Sequence, residues 1–146
     1  KLKHLSVDLV IGLFNPHQSE IEKELIKFPN IKLHIQIDNI SNLMLRADLA
    51  LGAGGSTTWE RMALGLPSIV ITTADNQIAF TKELYNDGLI DWLGNSDQIS
   101  IHKISNAIIY AISNSNELKQ QSKKCQQLVD GKGVEFVSKL LTVSDN

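Results

Sequence analysis

A glycine-rich segment in the middle of the chain holds the residues best suited to chemistry. It runs from Gly52 to Pro67 and reads GAGGSTTWERMALGLP. The adjacent glycines Gly54 and Gly55 let a ligand approach backbone N–H groups, because no side chain blocks the way. Hydroxyl residues follow directly, and a helix that begins there adds unpaired N–H groups and a partial positive charge. The segment is therefore suited to bind an anion such as a phosphate.

Familiar nucleotide and hydrolase motifs do not fit this segment. A P-loop needs a lysine after its glycines, and no lysine is present here. Thr57 occupies the place where a dinucleotide motif counted from Gly52 needs glycine or alanine. Thr58 occupies the place where a nucleophile elbow around Ser56 needs its second glycine. These differences disfavour a P-loop kinase, a standard nicotinamide site and a serine hydrolase.

The same residues also have a purely architectural interpretation. Thr57 and Glu60 have the spacing of a capping box, in which the glutamate folds back onto the helix start. Gly65 and Pro67 are typical of the end of a helix. On this interpretation the glycines only form a tight bend between a strand and a helix.

Strands and helices alternate around the segment. Apolar runs predict strands over 7–12, 48–53, 67–73 and 90–94, and a strict alternation of apolar and polar residues predicts a half-buried strand over 31–37. Apolar residues at helical spacing predict helices over 19–28, 40–47, 76–88, 101–112, 116–129 and from 134 onward. This order predicts an α/β domain of three layers with one parallel sheet. Ligands bind such sheets beyond the carboxyl ends of the strands, where the glycines are predicted to lie.

Composition excludes several classes of function. A chain of 146 residues suits one domain, and a net charge of -2 without a basic stripe disfavours nucleic-acid binding. Cys125 is the only cysteine, which excludes an internal disulfide, and its spacing predicts a packing role on a helix. No apolar run is long enough to span a membrane, and we expect a cytoplasmic protein. Because the chain begins with Lys1, we also expect it to be either a piece of a longer protein or a processed chain.

Residues 52–77, GAGGSTTWERMALGLPSIVITTADNQ, resemble the nucleotide-binding core in the C-terminal domain of GT-B glycosyltransferases, which have two Rossmann-like domains. The layout is similar to that of the peptidoglycan N-acetylglucosaminyl transferases. GGSTTWE, GLPSIVI and ADNQ together resemble more closely the UDP-sugar hydrolases of pseudaminic acid biosynthesis. The resemblance is strong over 48–94 and weak elsewhere. It implies that residues 1–146 form a Rossmann-like nucleotide-sugar-binding domain, the C-terminal half of a GT-B protein whose N-terminal domain is absent.

The resemblance implies roles for particular residues. In these families the glycine loop and the helix start bind the nucleotide diphosphate, and the matching positions are Gly54, Gly55, Ser56 and Thr57. Glu60 matches the helical glutamate that accepts hydrogen bonds from the ribose hydroxyls. An ionised carboxylate suits that task, because it accepts from two hydroxyls at once.

Further positions are implied to contact the base and the sugar. Backbone near the end of the second strand, at about Ile37–Asn39, matches the part that recognises the base. Asn76 and Gln77 match the polar loop that meets the sugar and the phosphates. Asn15, which follows the first strand, is an additional candidate for substrate binding.

The implied reaction is displacement of UDP from an anomeric carbon. In the hydrolases, water attacks a UDP-linked diacetamido-trideoxy-β-L-altropyranose. The alternatives are transfer to a sugar hydroxyl by a GT-B glycosyltransferase, a non-catalytic nucleotide-sugar-binding module and an interaction domain without a ligand. The catalytic base is expected in the N-terminal Rossmann-like domain, so no catalytic residue is assigned to this chain. No cofactor and no metal are expected.

Overall fold

The structure, a computed structural model, describes residues 3–143. Within this range, strands and helices alternate as the sequence predicts. The strands are β1 Val7–Ile11, β2 Ile31–Ile35, β3 Ala50–Ala53, β4 Ser68–Thr72 and β5 Asp91–Asn95. The helices are α1 Gln18–Leu25, α2 Ser41–Arg46, α3 Thr57–Ala63, α4 Ile78–Asn86, α5 Ile101–Ser113, α6 Ser115–Leu128 and α7 Gly133–Val143. Short 3-10 turns, Asp75–Gln77 and Ser96–Gln98, precede α4 and α5.

The chain forms two compact units, Lys1–Leu43 and Met44–Asn146. In the first unit, β1 and β2 pair in parallel, from Val7 opposite Ile31 to Ile11 opposite Ile35. The N–H of Gln36 donates to the carbonyl of Ile11 at 3.0 Å and extends this pairing by one residue. The carboxyl ends of both strands therefore lie at one edge of the first unit's sheet.

The second unit contains a parallel sheet in the order β3-β4-β5. Its central strand β4 is almost completely buried, as its continuous apolar sequence predicts. The core around this strand consists of Met62, Val70, Leu84, Leu89, Ile90 and Cys125. Burial raises the pKa of the Cys125 thiol, which donates to the carbonyl of Leu89 at 3.1 Å. The predicted packing role of Cys125 is confirmed.

The division of the strands differs from the prediction of one sheet. Backbone hydrogen bonds group the strands of the described chain into one sheet of two and one sheet of three. Strand β3 is only four residues long, and β4 is its ladder partner. The parallel orientation of the strands is confirmed in both sheets.

Some predicted apolar faces are not covered. Ala111 of α5 is buried, but Ile101 at the start of the same helix is 83% exposed. In α7, Val134 and Val137 are also exposed, although their spacing predicts packing. Periodicity identifies the apolar side of a helix, but it does not state whether another element covers that side.

Candidate functional site

Three loops follow the carboxyl ends of β3, β4 and β5 at one edge of the second unit's sheet. Gly54–Ser56 joins β3 to α3, which begins at Thr57, and this confirms the predicted strand–loop–helix order. The hydroxyl of Thr72, at the end of β4, donates to Oδ1 of Asn95 at 2.6 Å. This hydrogen bond connects the carboxyl ends of β4 and β5, at the sheet edge where the glycine loop also lies.

The two glycines of the loop play different structural roles. The N–H of Gly54 donates to the carbonyl of Ile71 at 3.3 Å, so it continues the ladder between β3 and β4. A Cβ at Gly54 would lie 2.6 Å from Oγ1 of Thr81, whereas a Cβ at Gly55 would meet nothing within 4 Å. Gly54 therefore permits close packing against α4, and Gly55 borders open space.

Unpaired backbone donors make this loop a candidate anion site. The N–H groups of Gly55, Ser56 and Thr57 have no hydrogen-bond acceptor within the part of the chain that the structure describes. Three consecutive donors at the start of a helix are an arrangement that suits phosphate oxygens. Because the N–H of Gly54 is already bonded, its contribution to this arrangement is the shape of the loop.

The capping-box interpretation of Glu60 is wrong. Helix α3 begins at Thr57 with Ser56 as its N-cap, and no side chain caps the helix start. Glu60 is therefore the fourth residue of the helix, one position beyond the place that a capping box requires. Its carboxylate is exposed and accepts no hydrogen bond from any described residue. The carboxylate is thus free to accept hydroxyl donors from a ligand.

Asn76 and Gln77 lie at the same sheet edge, in the 3-10 turn after β4. Oε1 of Gln77 accepts hydrogen bonds from the N–H of Thr73 at 2.9 Å and from its hydroxyl at 3.3 Å. The side-chain oxygen of Gln77 is therefore already hydrogen-bonded within the loop that joins β4 to α4. The side chain of Asn76 is exposed, with no hydrogen-bond partner in the described chain.

Asn15 and Ile37 belong to the first unit, where they follow the adjacent ends of β1 and β2. Oδ1 of Asn15 accepts from the N–H of His17 at 2.9 Å, which shapes the loop after β1. Gln36, just before Ile37, has a φ of 50°, an uncommon value for a residue other than glycine. The backbone N–H and carbonyl of Ile37 have no partner among the described residues.

Sequence reasoning missed Arg61, a buried cation beside the glycine loop. Only 5% of the residue is exposed, and Nη2 donates to the carbonyl of Ala53 at 3.0 Å and to Oγ1 of Thr58 at 2.9 Å. Burial lowers the pKa of the Arg61 guanidinium, and the nearby charge of Glu60 acts in the opposite direction. The sequence did contain an indication that Arg61 is buried. Thr58, Arg61 and the apolar Met62 are spaced so that they share one face of a helix.

Residues 3–135 match the sequence profile of the glycosyltransferase family 28 C-terminal domain. The chain belongs to this family. It is 29% identical over 144 residues to the spore coat polysaccharide biosynthesis protein SpsG of Bacillus subtilis, covering 96% of this chain and 41% of that protein. It is 33% identical over 98 residues to a Rickettsia bellii UDP-N-acetylglucosamine–N-acetylmuramyl-(pentapeptide) pyrophosphoryl-undecaprenol N-acetylglucosamine transferase. That alignment covers 64% of this chain and 28% of the transferase.

Two crystal structures share the fold. MurG of Acinetobacter baumannii superposes with a TM-score of 0.68 at 21% identity, over 97% of this chain and 43% of that one. Anabaena HepE in complex with UDP-glucose superposes with a TM-score of 0.65 at 17% identity, over 90% of this chain and 40% of that one. The family 28 domain thus has the predicted Rossmann-like α/β fold with parallel sheets, matching the C-terminal half of a GT-B protein. The chain spans about two fifths of the length of SpsG.

No helix in residues 3–143 has both the length and the apolar character to cross a membrane. No three or more histidine, cysteine, aspartate or glutamate residues in this range are placed together so that they could hold a metal ion.

Proposed function

We propose that this family 28 domain binds the UDP-sugar donor of a GT-B glycosyltransferase-like protein in polysaccharide biosynthesis. The observation that carries the proposal is the row of unpaired N–H groups at Gly55, Ser56 and Thr57, at the carboxyl edge of a parallel sheet. The names of the relatives support the same conclusion, because one refers to polysaccharide biosynthesis and another to a transferase that uses a UDP-sugar. HepE, which shares the fold, was crystallised with UDP-glucose.

Each candidate residue has a defined role in this proposal. The N–H groups of the glycine loop donate to the diphosphate, and Glu60 accepts hydrogen bonds from the ribose hydroxyls. Asn76 and the amide nitrogen of Gln77 face the sugar and the phosphates. Ile37 offers backbone groups to the base, and Asn15 is a further polar contact to the substrate. The partner in catalysis is an N-terminal Rossmann-like domain, which supplies the base.

Transfer and hydrolysis differ in the acceptor that attacks the anomeric carbon. In both reactions the C–O bond to the diphosphate breaks, and UDP leaves with its charge stabilised by the loop donors. The acceptor is a sugar hydroxyl in a transferase and water in a UDP-sugar hydrolase. The named transferases among the relatives favour the first. The motifs GGSTTWE and ADNQ are the feature that keeps the pseudaminic acid hydrolase as the second candidate.

A pair of glycine substitutions tests the donor-binding proposal by calorimetric titration with UDP. In Gly55→Ala the new methyl group has open space around it, so the fold is retained, but it narrows the approach to the N–H groups. We expect UDP affinity to fall about tenfold or more, because charge-assisted hydrogen bonds to phosphate are lengthened or lost. Gly133→Ala is the matched control, since its Cβ would also meet nothing within 4 Å and it lies at the start of α7.

The proposal predicts that the unsubstituted protein binds UDP and that Gly133→Ala binds it equally well. Equal UDP affinity in Gly55→Ala and Gly133→Ala would remove the loop from the binding site. No binding of UDP by the unsubstituted full-length protein would refute donor binding altogether.

A further inference from the structure

The buried guanidinium of Arg61 has no carboxylate in contact with it, although the charge of the neighbouring Glu60 favours its charged form from a greater distance. It is 5% exposed, and no carboxylate lies at ion-pair distance from it in the part of the chain that the structure describes. Nη2 has two acceptors, but Nε is buried without any hydrogen-bond partner. A buried charge is costly unless it is paired, and an arginine remains protonated even when its pKa is lowered. A side chain whose only role was to connect α3 to β3 by hydrogen bonds would not need a positive charge.

The position of this charge links it to the glycine loop. Nη2 contacts the carbonyl of Ala53, which immediately precedes Gly54. Nη1 lies so close to Gly52 that any side chain at this position would overlap it. The guanidinium therefore lies against the end of β3, at the carbonyl that immediately precedes the glycine loop.

A cation in this place would attract an anion bound at the glycine loop without contacting it. Two charges a few ångströms apart interact far more strongly through protein interior than through water, and salt screens buried charges much less than exposed ones. The bond to Ala53 also fixes the last peptide before the loop, which keeps the following N–H groups in place. Both effects strengthen binding of a diphosphate, and neither is expected to change the affinity for the nucleoside part of the ligand.

We propose that Arg61 is a positioning residue for the diphosphate, which it favours through its buried positive charge and its hold on the Ala53 carbonyl. This inference rests on the proposed function of the glycine loop. It assigns to the neighbours Glu60 and Arg61 separate parts of one nucleotide, the ribose and the diphosphate. The ligand then adds to the charge of Glu60 the further negative charge that this buried cation favours.

The test compares UDP with uridine, which lacks the diphosphate, in titrations of the full-length protein. We expect Arg61→Met to weaken UDP binding about tenfold or more and uridine binding less than about twofold, since only the diphosphate responds to the charge. Arg61→Lys keeps the charge and should recover part of the UDP affinity. Lys119→Met is the matched control, because it removes the same charge from an exposed position on α6.

If Arg61 only connects α3 to β3 and has no electrostatic role, the affinities for UDP and uridine will change differently. Equal losses for UDP and uridine in Arg61→Met, or no recovery in Arg61→Lys, would overturn the inference. An unchanged UDP affinity in Arg61→Met, while the unsubstituted protein binds UDP, would refute the role of Arg61 and leave the proposed function intact. If the unsubstituted protein does not bind UDP, the proposed function fails first.

A measurement on the unsubstituted protein covers the case in which Arg61→Met does not fold. The ratio of UDP to uridine affinity is compared at about 0.05 M and about 0.5 M NaCl. Attraction from a buried cation should keep most of this ratio at the higher salt concentration. A fall of the ratio to near one would show that exposed charges attract the diphosphate, which would contradict the inference.

Discussion

Two neighbouring residues of α3 carry opposite charges into different environments: Glu60 is exposed and Arg61 is buried. Successive residues of a helix point about 100° apart, so Glu60 faces solvent while Arg61 turns toward β3. The acidic side chain lies free, without any hydrogen bond from the described residues. The basic side chain is buried against the end of a strand. One short motif can therefore serve two parts of a nucleotide.

Glu60→Gln should weaken UDP binding with little change in stability. A neutral amide oxygen is a poorer acceptor for paired hydroxyls, and hydrogen bonds to charged groups contribute about 1.5–3 kcal/mol. We therefore expect about a tenfold or larger loss in UDP affinity, measured by calorimetric titration. The unsubstituted protein should also prefer UDP over 2′-deoxy-UDP, and this preference should shrink in the variant.

Glu83→Gln serves as the control for Glu60→Gln. Glu83 is an exposed glutamate of α4 whose carboxylate has no hydrogen bond to a described residue. The control should leave both UDP affinity and the preference for ribose unchanged. An unaltered UDP affinity in Glu60→Gln, together with no preference for ribose, would contradict the ribose role.

The residues differ in how far sequence alone could predict them. The place of Glu60 in the helix after the glycine loop could be predicted from the sequence, whereas its ribose role rests on the resemblance and stays a prediction. Arg61 does not follow so easily, since an arginine is usually solvated and its burial depends on the contact with Ala53. That contact becomes visible only when β3 and α3 are packed together.

The packing of the glycine loop against α4 depends on Gly54. Gly54→Ala should destabilise the fold by about 1–3 kcal/mol, because overpacking forces neighbouring groups apart. The new methyl group would lie 2.6 Å from Oγ1 of Thr81 and 3.3 Å from a methyl group of Val70. Urea unfolding of the variant measures this cost.

A double-substitution cycle isolates the clash between Gly54 and Thr81. Thr81→Ala removes the hydroxyl, which is buried and has no hydrogen-bond partner of its own. Gly54→Ala should therefore cost less in the Thr81→Ala background than in the unsubstituted protein. Additive effects of the two substitutions would show that Thr81 does not cause the strain.

Local signals predicted the elements better than their packing. The strand–loop–helix order around Gly54 is correct to within a residue or two, and Gly65 and Gly88 end α3 and α4 with φ values of 66° and 67°. The exposure of Ile101 and Val134 escaped prediction. A glycine turn is determined by neighbouring residues, whereas the burial of a helix face depends on distant parts of the chain.

The alternation of strands and helices along the chain was sufficient to predict the α/β class and the parallel strand orientation. It was not sufficient to predict that the strands form two hydrogen-bonded sheets. Strand order depends on which backbone edges meet, and a short strand such as β3 carries little sequence information about its neighbours. Membership of family 28 gives the fold.

The domain by itself should bind UDP weakly and turn over UDP-sugars negligibly. The alignment with SpsG covers 41% of that protein, and our proposal assigns the base to an N-terminal domain, so this chain would provide one wall of the site. A bound substrate then lacks both the opposite contacts and the group that activates its acceptor. UDP release from UDP-N-acetylglucosamine, measured for residues 1–146 and for the full-length protein, tests this expectation. Added sugar acceptor should raise the full-length rate if the protein is a transferase, whereas a hydrolase should release UDP without one. Turnover by residues 1–146 at the full-length rate would place the catalytic base within this domain instead.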